Sequence, residues 1–313
     1  MNPNPLGMST SWNAAAVVDG KRIVRGITSL GFSVLEVDYR VTAEAARDIK
    51  GLVEAGKIQV SSVHNFAPLA PREEPSNGGG HKLSLATADR DERRRAVALT
   101  LKSAELARDL GARALVLHLG ETDLGREYHR QLSETVGAEG VASPEATRIR
   151  EDVKTARRAR IAPLLEAAVR SLSEILEGTG SDLAVCIENR NYYHQIPLAE
   201  EVVQLTERIG SPRLRYWHDV GHAHILDILG FLPHLETLRM LKPHLYGMHL
   251  HDARFTRDHL APGTGDIDFA AVLAVVPASA VKVLELAPRV TREDILKALR
   301  YLEGFGVGPE AGL

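Results

Sequence analysis

Residues 183–190 read LAVCIENR, an apolar run of five residues that ends in an acid, an amide and a cation. Runs of this form are typical of parallel strands whose outer faces are covered by helices. Seven further segments have the same form of an apolar run with a polar end: 7–13, 33–39, 58–66, 114–120, 214–223, 245–253 and 281–288. The chain therefore alternates short buried strands with longer segments between them.

The intervening segments carry helical signals. Apolar residues recur at helical spacing from Ile161 to Leu176, and Thr291 with Asp294 forms a helix-start pair. Eight strand–helix repeats predict a (β/α)8 TIM barrel of one domain, residues 1–313. The alternative is an open doubly wound sheet, but no Gly-x-Gly-x-x-Gly follows the first strand. We expect a flexible loop at 76–80. The longest irregular or charged region is 121–159, and the sequence leaves open whether it is a surface excursion or a lid.

Composition excludes several classes of protein. The 313 residues carry a formal net charge of −3, which disfavours a dedicated nucleic-acid binder. Cys186 is the only cysteine, so no intrachain disulfide forms. The most apolar long stretch, 270–288, is interrupted by Pro277 and Lys282 and is not expected to span a membrane. With no signal peptide at its start, the protein is predicted to be cytoplasmic.

Polar residues capable of binding a metal or moving a proton stand at the ends of six predicted strands. They are His64, His118, Glu188, Asp219, His249 and Glu285. Because side chains alternate along a strand, the residues two positions earlier share their direction. These are Ser62, Val116, Cys186, Trp217, Gly247 and Val283. One register therefore points all six polar groups inward at the functional face of the barrel, above a layer of mostly small or apolar residues.

Four of these residues suit a metal site. The oxygens of Glu188, Asp219 and Glu285 favour hard divalent ions, and the imidazole of His249 favours borderline ones, so Mn²⁺, Mg²⁺, Co²⁺ and Zn²⁺ all remain open. Three carboxylates in one barrel mouth would repel one another without a cation. The alternative is that the acids and imidazoles neutralise one another with no ion.

Nearby residues have open roles. His222 binds substrate or a second metal, or else caps the following helix. We expect His251 to lie just outside the ligand set and Asp252 to orient a ligand histidine. The turn 263–266 either donates backbone groups to substrate or is a plain turn. Glu36, on the second strand, is placed away from the cluster.

The ordered motifs resemble a known superfamily. SVHNF, VLHLG, IEN, HDVGHA, MHLHDAR, PGTGDID and LELAP are similar to those of the xylose isomerase-like TIM-barrel superfamily of sugar (phosphate) isomerases and epimerases. That superfamily includes, more remotely, endonuclease IV of AP endonuclease family 2. The resemblance covers almost the whole chain and implies carbohydrate metabolism, without specifying the substrate.

The epimerase branch implies a role for each strand-end acid. By motif position, Glu188, Asp219, His249 and Glu285 hold the metal. The resemblance further implies that Glu188 and Glu285 exchange protons with the substrate carbon and that His222 contacts substrate. It also implies a homo-oligomer, a dimer or tetramer.

The endonuclease branch implies extra zinc ligands. His64, His118 and His259 match them, but Arg257 stands where that branch has a carboxylate, and a guanidinium cannot bind zinc. This departure disfavours a complete trinuclear site and leaves one divalent ion, with a second or third still open.

The leading hypothesis is a metal-dependent isomerase or epimerase of a small sugar, sugar acid or sugar phosphate. It would work by proton transfer through a metal-stabilised enediolate. The substrate is then a small molecule, with neither nucleic acid nor membrane as a partner. The alternatives are an endonuclease IV-like metal-dependent phosphodiester hydrolase and a sugar-binding barrel without catalysis.

Overall fold

The computed structural model describes residues 5–69 and 83–309, and its centre is a closed barrel of eight parallel strands. Numbered in chain order, the barrel strands are β1 (Gly7–Ser9), β2 (Val34–Val37), β3 (Gln59–His64), β4 (Ala114–Leu117), β5 (Ala184–Glu188), β6 (Leu214–Asp219), β7 (Leu245–Leu250) and β8 (Val281–Leu284). Each strand pairs with its neighbours in this order, and β8 closes onto β1. The predicted (β/α)8 barrel is confirmed, and the open doubly wound sheet is wrong.

Helices alternate with the strands. They are α1 (Gly20–Thr28), α2 (Ala43–Glu54), α3 (Arg90–Asp109), α4 (Glu127–Glu139), α5 (Pro144–Arg158), α6 (Ile161–Gly178), α7 (Ala199–Ile209), α8 (Val220–Ile228), α9 (His234–Leu241), α10 (Phe269–Val275) and α11 (Arg292–Glu303). The helix predicted from Ile161 is α6, and Thr291 and Asp294 form the capping box of α11. Among the described residues, no helix combines the length and apolarity needed to cross a bilayer. The loop predicted at 76–80 lies outside the described residues.

The region 121–159 differs from its prediction because α4 and α5 occupy most of it. Its apolar stripe is short. Leu132, Ala146 and Ile149 pack with Ile225 of α8 and Leu229 at its C-cap in one buried cluster, and Tyr128 and Val136 pack against it partly buried. Of the two descriptions left open, irregular is therefore wrong and charged fits, and the region is a pair of helices packed on α8.

The inward register predicted for the strands fixes the floor of the site. Val116, Cys186, Trp217 and Val283 share one buried cluster inside the barrel. A Cβ on Gly247 would lie only 2.3 Å from the Trp217 ring, so the indole fits because residue 247 has no side chain. The strand-end polar groups stand one step above this layer.

The turn from β6 into α8 positions two candidate residues. Asp219 ends β6 and is also the N-cap of α8, where its Oδ1 accepts a hydrogen bond from the backbone N–H of His222 at 2.7 Å. Capping satisfies an amide at the helix start that has no partner within the helix. The same local structure thus fixes both Asp219 and His222 at the C-terminal mouth of the barrel.

Candidate metal centre

Four polar side chains meet inside the barrel at the C-terminal ends of β5 to β8. His249 Nδ1 lies 2.7 Å from Glu188 Oε1, 3.1 Å from Glu285 Oε2 and 3.7 Å from Asp219 Oδ2. Three of the residues are fully buried, and the side chain of Glu285 is 11% exposed. We call these four residues the carboxylate–imidazole cluster. Three carboxylates and one imidazole form a donor set that fits a hard or borderline divalent cation.

Glu36 belongs to this site, contrary to its expected placement. Its Oε1 lies 3.0 Å from His249 Nε2, and its Oε2 accepts a hydrogen bond from Ser62 Oγ at 2.8 Å. Glu36 therefore favours the tautomer of His249 that carries its proton on Nε2, which leaves the Nδ1 lone pair facing the three carboxylates. Sequence alternation alone did not reveal this contact, which follows from the pairing of Glu36 with Ser62, a residue of the predicted inward layer, in the closed barrel.

The imidazole of His249 governs the charge of the cluster. Burial raises the pKa of Glu285, but His249 and His259 outweigh it and hold that pKa at about 2. Burial likewise raises the pKa of Glu188, yet His118 and His249 hold it well below its ordinary value. Burial lowers the pKa of His249, but the surrounding glutamates raise it well above the usual range. A protonated His249 thus balances the carboxylates, and a divalent ion bound at Nδ1 would replace that proton.

Asn189, directly after Glu188, ties β5 to the end of β6. Its Oδ1 accepts the backbone N–H of Asp219 at 2.7 Å, and its Nδ2 donates to the Asp219 carbonyl oxygen at 2.9 Å. The hydroxyl of Tyr216 donates to the same Oδ1 at 2.8 Å. This amide fixes the backbone of Asp219, a role that was not predicted.

His64 and His118 lie on the other side of Glu188. Glu188 Oε2 is 2.6 Å from His118 Nε2 and 3.3 Å from His64 Nε2. The Nδ1–H of His64 donates to its neighbouring carbonyl at Asn65, so Nε2 is the nitrogen that faces the carboxylate. These three side chains form a second group with metal-ligand spacing, which we call the second donor group.

A third group with metal-ligand spacing contains His222, His251 and His259. His251 is fully engaged, because its Nδ1 accepts the backbone N–H of His259 at 2.9 Å and its Nε2 donates to Asp219 at 2.9 Å. His222 and His259 each turn Nδ1 towards a backbone carbonyl, of Asn189 and Glu285 respectively. His251 therefore supports a cluster residue, while His222 and His259 present their Nε2 atoms.

Asp252 was expected to orient a ligand histidine, but its side chain holds a loop instead. Its carboxylate accepts backbone N–H groups from Gly263 and Gly265 at 2.9 and 2.8 Å, and from Ile267 at 3.2 Å. The short side chain of an aspartate can serve several loop amides at once. The donors of this glycine-rich turn are consequently used to hold the turn itself, and the turn does not offer them to a substrate.

A cavity of about 290 Å³ opens above the carboxylate–imidazole cluster. Its lining includes Glu285 and the imidazoles of His64, His118, His222 and His259, with the arginines Arg40, Arg190 and Arg289 and the ring of Tyr39. A larger cavity of about 740 Å³ lies at the opposite end, around the first residues of the strands, and none of the three donor groups found among the described residues lines it. The chemistry-bearing side chains thus face the C-terminal mouth, the end at which TIM-barrel enzymes carry their active sites.

A family comparison settles what kind of barrel this is. The model described as "Xylose isomerase-like TIM barrel" matches residues 24–303, which include every candidate residue described above. The chain belongs to this family. The resemblance inferred from the motifs is therefore confirmed. A search of curated protein sequences found no match to the chain.

Solved structures with the xylose isomerase-like fold are similar over nearly the whole chain. A D-tagatose 3-epimerase-like protein has a TM-score of 0.67 at 16% identity and covers 96% of each chain. The 3-keto-D-glucoside 4-epimerase YcjR from E. coli has a TM-score of 0.66 at 15% identity, covering 96% of this chain and 99% of its own. The IolI protein, solved with a zinc atom, has a TM-score of 0.66 at 12% identity, covering 97% and 98%. At such identities the similarity shows the shared fold, and the reaction must be argued from the site.

Proposed function

We propose that this protein is a divalent-metal-dependent isomerase or epimerase of a small sugar, sugar acid or sugar phosphate. The observation that carries the proposal is the carboxylate–imidazole cluster, buried below a cavity of small-molecule size. Solved structures of the same fold include an L-ribulose 3-epimerase and a D-psicose 3-epimerase from Clostridium cellulolyticum H10. Their names support a sugar as the substrate class.

The protein would hold one Mn²⁺, Mg²⁺, Co²⁺ or Zn²⁺ through Glu188, Asp219, Glu285 and the Nδ1 of His249. When bound, such an ion supplies Lewis-acid polarisation of a carbonyl and a neighbouring hydroxyl. The protein prepares this geometry in advance, because Glu36 sets the tautomer of His249 and the backbone of Asp219 is fixed by its neighbours. Side chains held in place in this way can bind a metal ion without first changing their conformation.

Two glutamates are assigned to proton transfer. Glu285 lines the cavity, and its pKa of about 2 keeps it ionised at neutral pH, ready to accept a proton from a carbon beside a carbonyl. Glu188 is also kept ionised, because His118 and His249 lower its pKa. Epimerisation needs an acid and a base on opposite faces of the carbon, whereas isomerisation needs one group that carries the proton between positions.

Two imidazoles are assigned to substrate binding. His222 and His259 hold their Nδ1–H groups against backbone carbonyls, so each offers Nε2 to the cavity. Burial lowers the pKa of His222, which keeps its imidazole neutral at physiological pH. A neutral Nε2 on His222 accepts a hydrogen bond from a sugar hydroxyl, and with His259 on the same cavity it would orient a polyol chain above Glu285.

Hydrogen exchange with solvent tests the proposal. The Mn²⁺-loaded protein is incubated in D₂O with a panel of ketoses and their acids and phosphates, and deuterium at carbon is followed by NMR. Wild type should exchange with at least one of them. Glu188→Gln and Glu285→Gln should lose about 10³-fold in rate, since each removes a proton-transfer group while circular dichroism stays unchanged.

A matched control is Glu166→Gln on α6, an exposed glutamate paired with Arg208 at the surface, which should keep the wild-type rate. Wild-type exchange rates in both site variants would contradict the assignment of the two glutamates. Failure of every sugar in the panel to exchange would contradict the isomerase or epimerase as a whole.

A second candidate is a metal-dependent phosphodiester hydrolase of the endonuclease IV type. The observation in its favour is that His64 and His118, as well as His222 and His259, belong to two further groups with metal-ligand spacing. The exposed Arg257 and the net charge of −3 weigh against it. Three tightly bound zinc ions together with cleavage of abasic-site DNA would favour the hydrolase. A single ion without cleavage would favour the isomerase or epimerase.

A further inference from the structure

A positive charge of the protein itself stands at the second donor group. Arg190 NH1 lies against His118 Nε2 and 3.6 Å from Glu188 Oε2. That oxygen is the same one that His118 and His64 approach at 2.6 and 3.3 Å. The guanidinium therefore contacts two of the three atoms that a second metal ion would need.

Arg190 lies just beyond the C-terminal end of β5. It follows Glu188 by two residues, and Asn189 between them turns to β6. Arg190 is only 7% exposed and lines the cavity beside His118. The surrounding residues of the barrel mouth therefore hold the Arg190 side chain in place.

The guanidinium blocks the second donor group in two ways. It has five N–H donors and no acceptor, so it cannot itself bind a metal ion, and it occupies the space beside His118 Nε2 and Glu188 Oε2 that an ion at this group would need. In addition, a divalent cation placed beside a buried guanidinium would be repelled by it, because water screens charges weakly in a buried site.

We propose that Arg190 takes the place of a second metal ion, so that the protein holds one ion, in the carboxylate–imidazole cluster, and the second donor group stays free of metal. This inference rests on the metal site of the proposed function and deepens it. It assigns to Arg190 the role of setting the metal stoichiometry. It also explains how His64 and His118 can be present without the multinuclear chemistry that their spacing allows.

Metal counting tests the inference. Wild type, Arg190→Gln and Arg190→Lys are saturated with Mn²⁺, freed of excess ion and analysed by elemental analysis and by electron paramagnetic resonance. Wild type should hold one ion with the spectrum of an isolated Mn²⁺. Arg190→Gln should hold two, with the spectrum of a coupled pair, because its shorter, neutral side chain removes the guanidinium and its charge from the second donor group. Arg190→Lys retains the charge and should hold one.

The double variant Arg190→Gln/His64→Ala identifies the second position, since it removes one donor and should return the count to one. Arg289→Gln, an exposed arginine of the same cavity, should keep a count of one. Circular dichroism verifies folding, and Arg190→Met replaces Arg190→Gln if that variant does not fold.

Two ions in wild type, or one ion in a folded Arg190→Gln or Arg190→Met, would overturn the inference. The absence of any bound ion in wild type would instead overturn the proposed metal site. The two failures are therefore distinguishable in the same experiment.

Discussion

Glu36 shows how much of the site depends on a residue that does not line the cavity. It bonds His249 Nε2 at 3.0 Å from the far side of the barrel, and Ser62 in turn donates to its other oxygen. A carboxylate behind a ligand histidine orients the ring and makes it a stronger ligand. Glu36 is therefore a positioning residue for the proposed metal site.

Replacing Glu36 should weaken metal binding. Glu36→Gln loses the charge that favours the Nδ1 lone pair of His249, and the dissociation constant for Mn²⁺ should rise by about 10- to 100-fold. Ser62→Ala removes only one hydrogen bond to Glu36 and should cause a smaller rise. Calorimetric titration of the metal-free proteins measures both. An unchanged dissociation constant in Glu36→Gln would show that the tautomer of His249 is set by other means.

At the residue scale, the alternation of side chains along the strands predicted the residues of the carboxylate–imidazole cluster but missed the residues that contact them from behind. Glu188, Asp219 and Glu285 end apolar runs, so their inward direction could be inferred from the residues two positions before them. Glu36 stands within a run, and its contact with His249 depends on the closure of the barrel, which joins strands 213 residues apart. The place of Arg190 beside His118 depends on side-chain packing that no single strand pattern encodes.

At the scale of single elements, the start of α8 is the tightest part of the site. Gly221 follows the Asp219 cap, and a Cβ at this position would lie 2.1 Å from Cε1 of the His251 ring. The same ring donates to Asp219 at 2.9 Å. The helix can therefore approach β7 only because residue 221 lacks a side chain.

Gly221→Ala should damage the site through this contact. The added methyl group displaces His251 and breaks its bond to Asp219, so we expect a stability loss of about 1–3 kcal/mol and a rise of about 10-fold in the metal dissociation constant. The matched control is Gly51→Ala in α2, where an added Cβ meets no atom within 4 Å. It should stabilise the protein by about 0.5–1 kcal/mol, because alanine is the better helix former.

Urea unfolding and metal titration of both variants measure these effects. Equal metal affinity in Gly221→Ala and wild type would contradict the coupling between α8 and the cluster.

The elements that were predicted incorrectly have physical reasons. Strand runs were placed too far towards their C-terminal ends, as in 114–120 against the observed Ala114–Leu117, since the residues after each strand remain buried in the barrel mouth. The helices α4 and α5 were missed because they bury few apolar residues. In α5 these are Ala146, Ile149 and Val153, at helical spacing but short of a full stripe. Exposed pairs add support, such as Arg148 with Glu145 and Asp152 at 2.6 Å each.

At the scale of the whole molecule, buried histidines outside the cluster make stability depend on pH. His218 Nε2 and His234 Nε2 are 3.0 Å apart, and His234 is only 5% exposed. Burial, with a contribution from His224, lowers the pKa of His234 to about 4. In the unfolded chain it would return to about 6.5. Between these values the unfolded chain binds more protons, so stability falls as the pH decreases from 6.5 to 4.

The free energy of unfolding should therefore depend less steeply on pH in His234→Gln than in wild type. In wild type, the neutral state of His234 accounts for a difference on the order of 3 kcal/mol in the free energy of unfolding between pH 6.5, where stability is full, and about pH 4, where this amount is lost. Urea unfolding at pH 7.5 and pH 5 measures it. His244→Gln, at a partly exposed position, serves as the control and should keep the wild-type slope. Equal slopes in the two variants would assign the acid sensitivity to other groups.

The central claim concerns the whole barrel, since four strands must bring Glu188, Asp219, His249 and Glu285 to a single divalent ion. Anomalous diffraction from a crystal of the Mn²⁺-loaded protein tests it most directly. The account predicts one strong peak within bonding distance of all four side chains and none at His64 and His118. A crystal of metal-replete protein with no peak among these four residues, or with its strongest peak elsewhere, would contradict it.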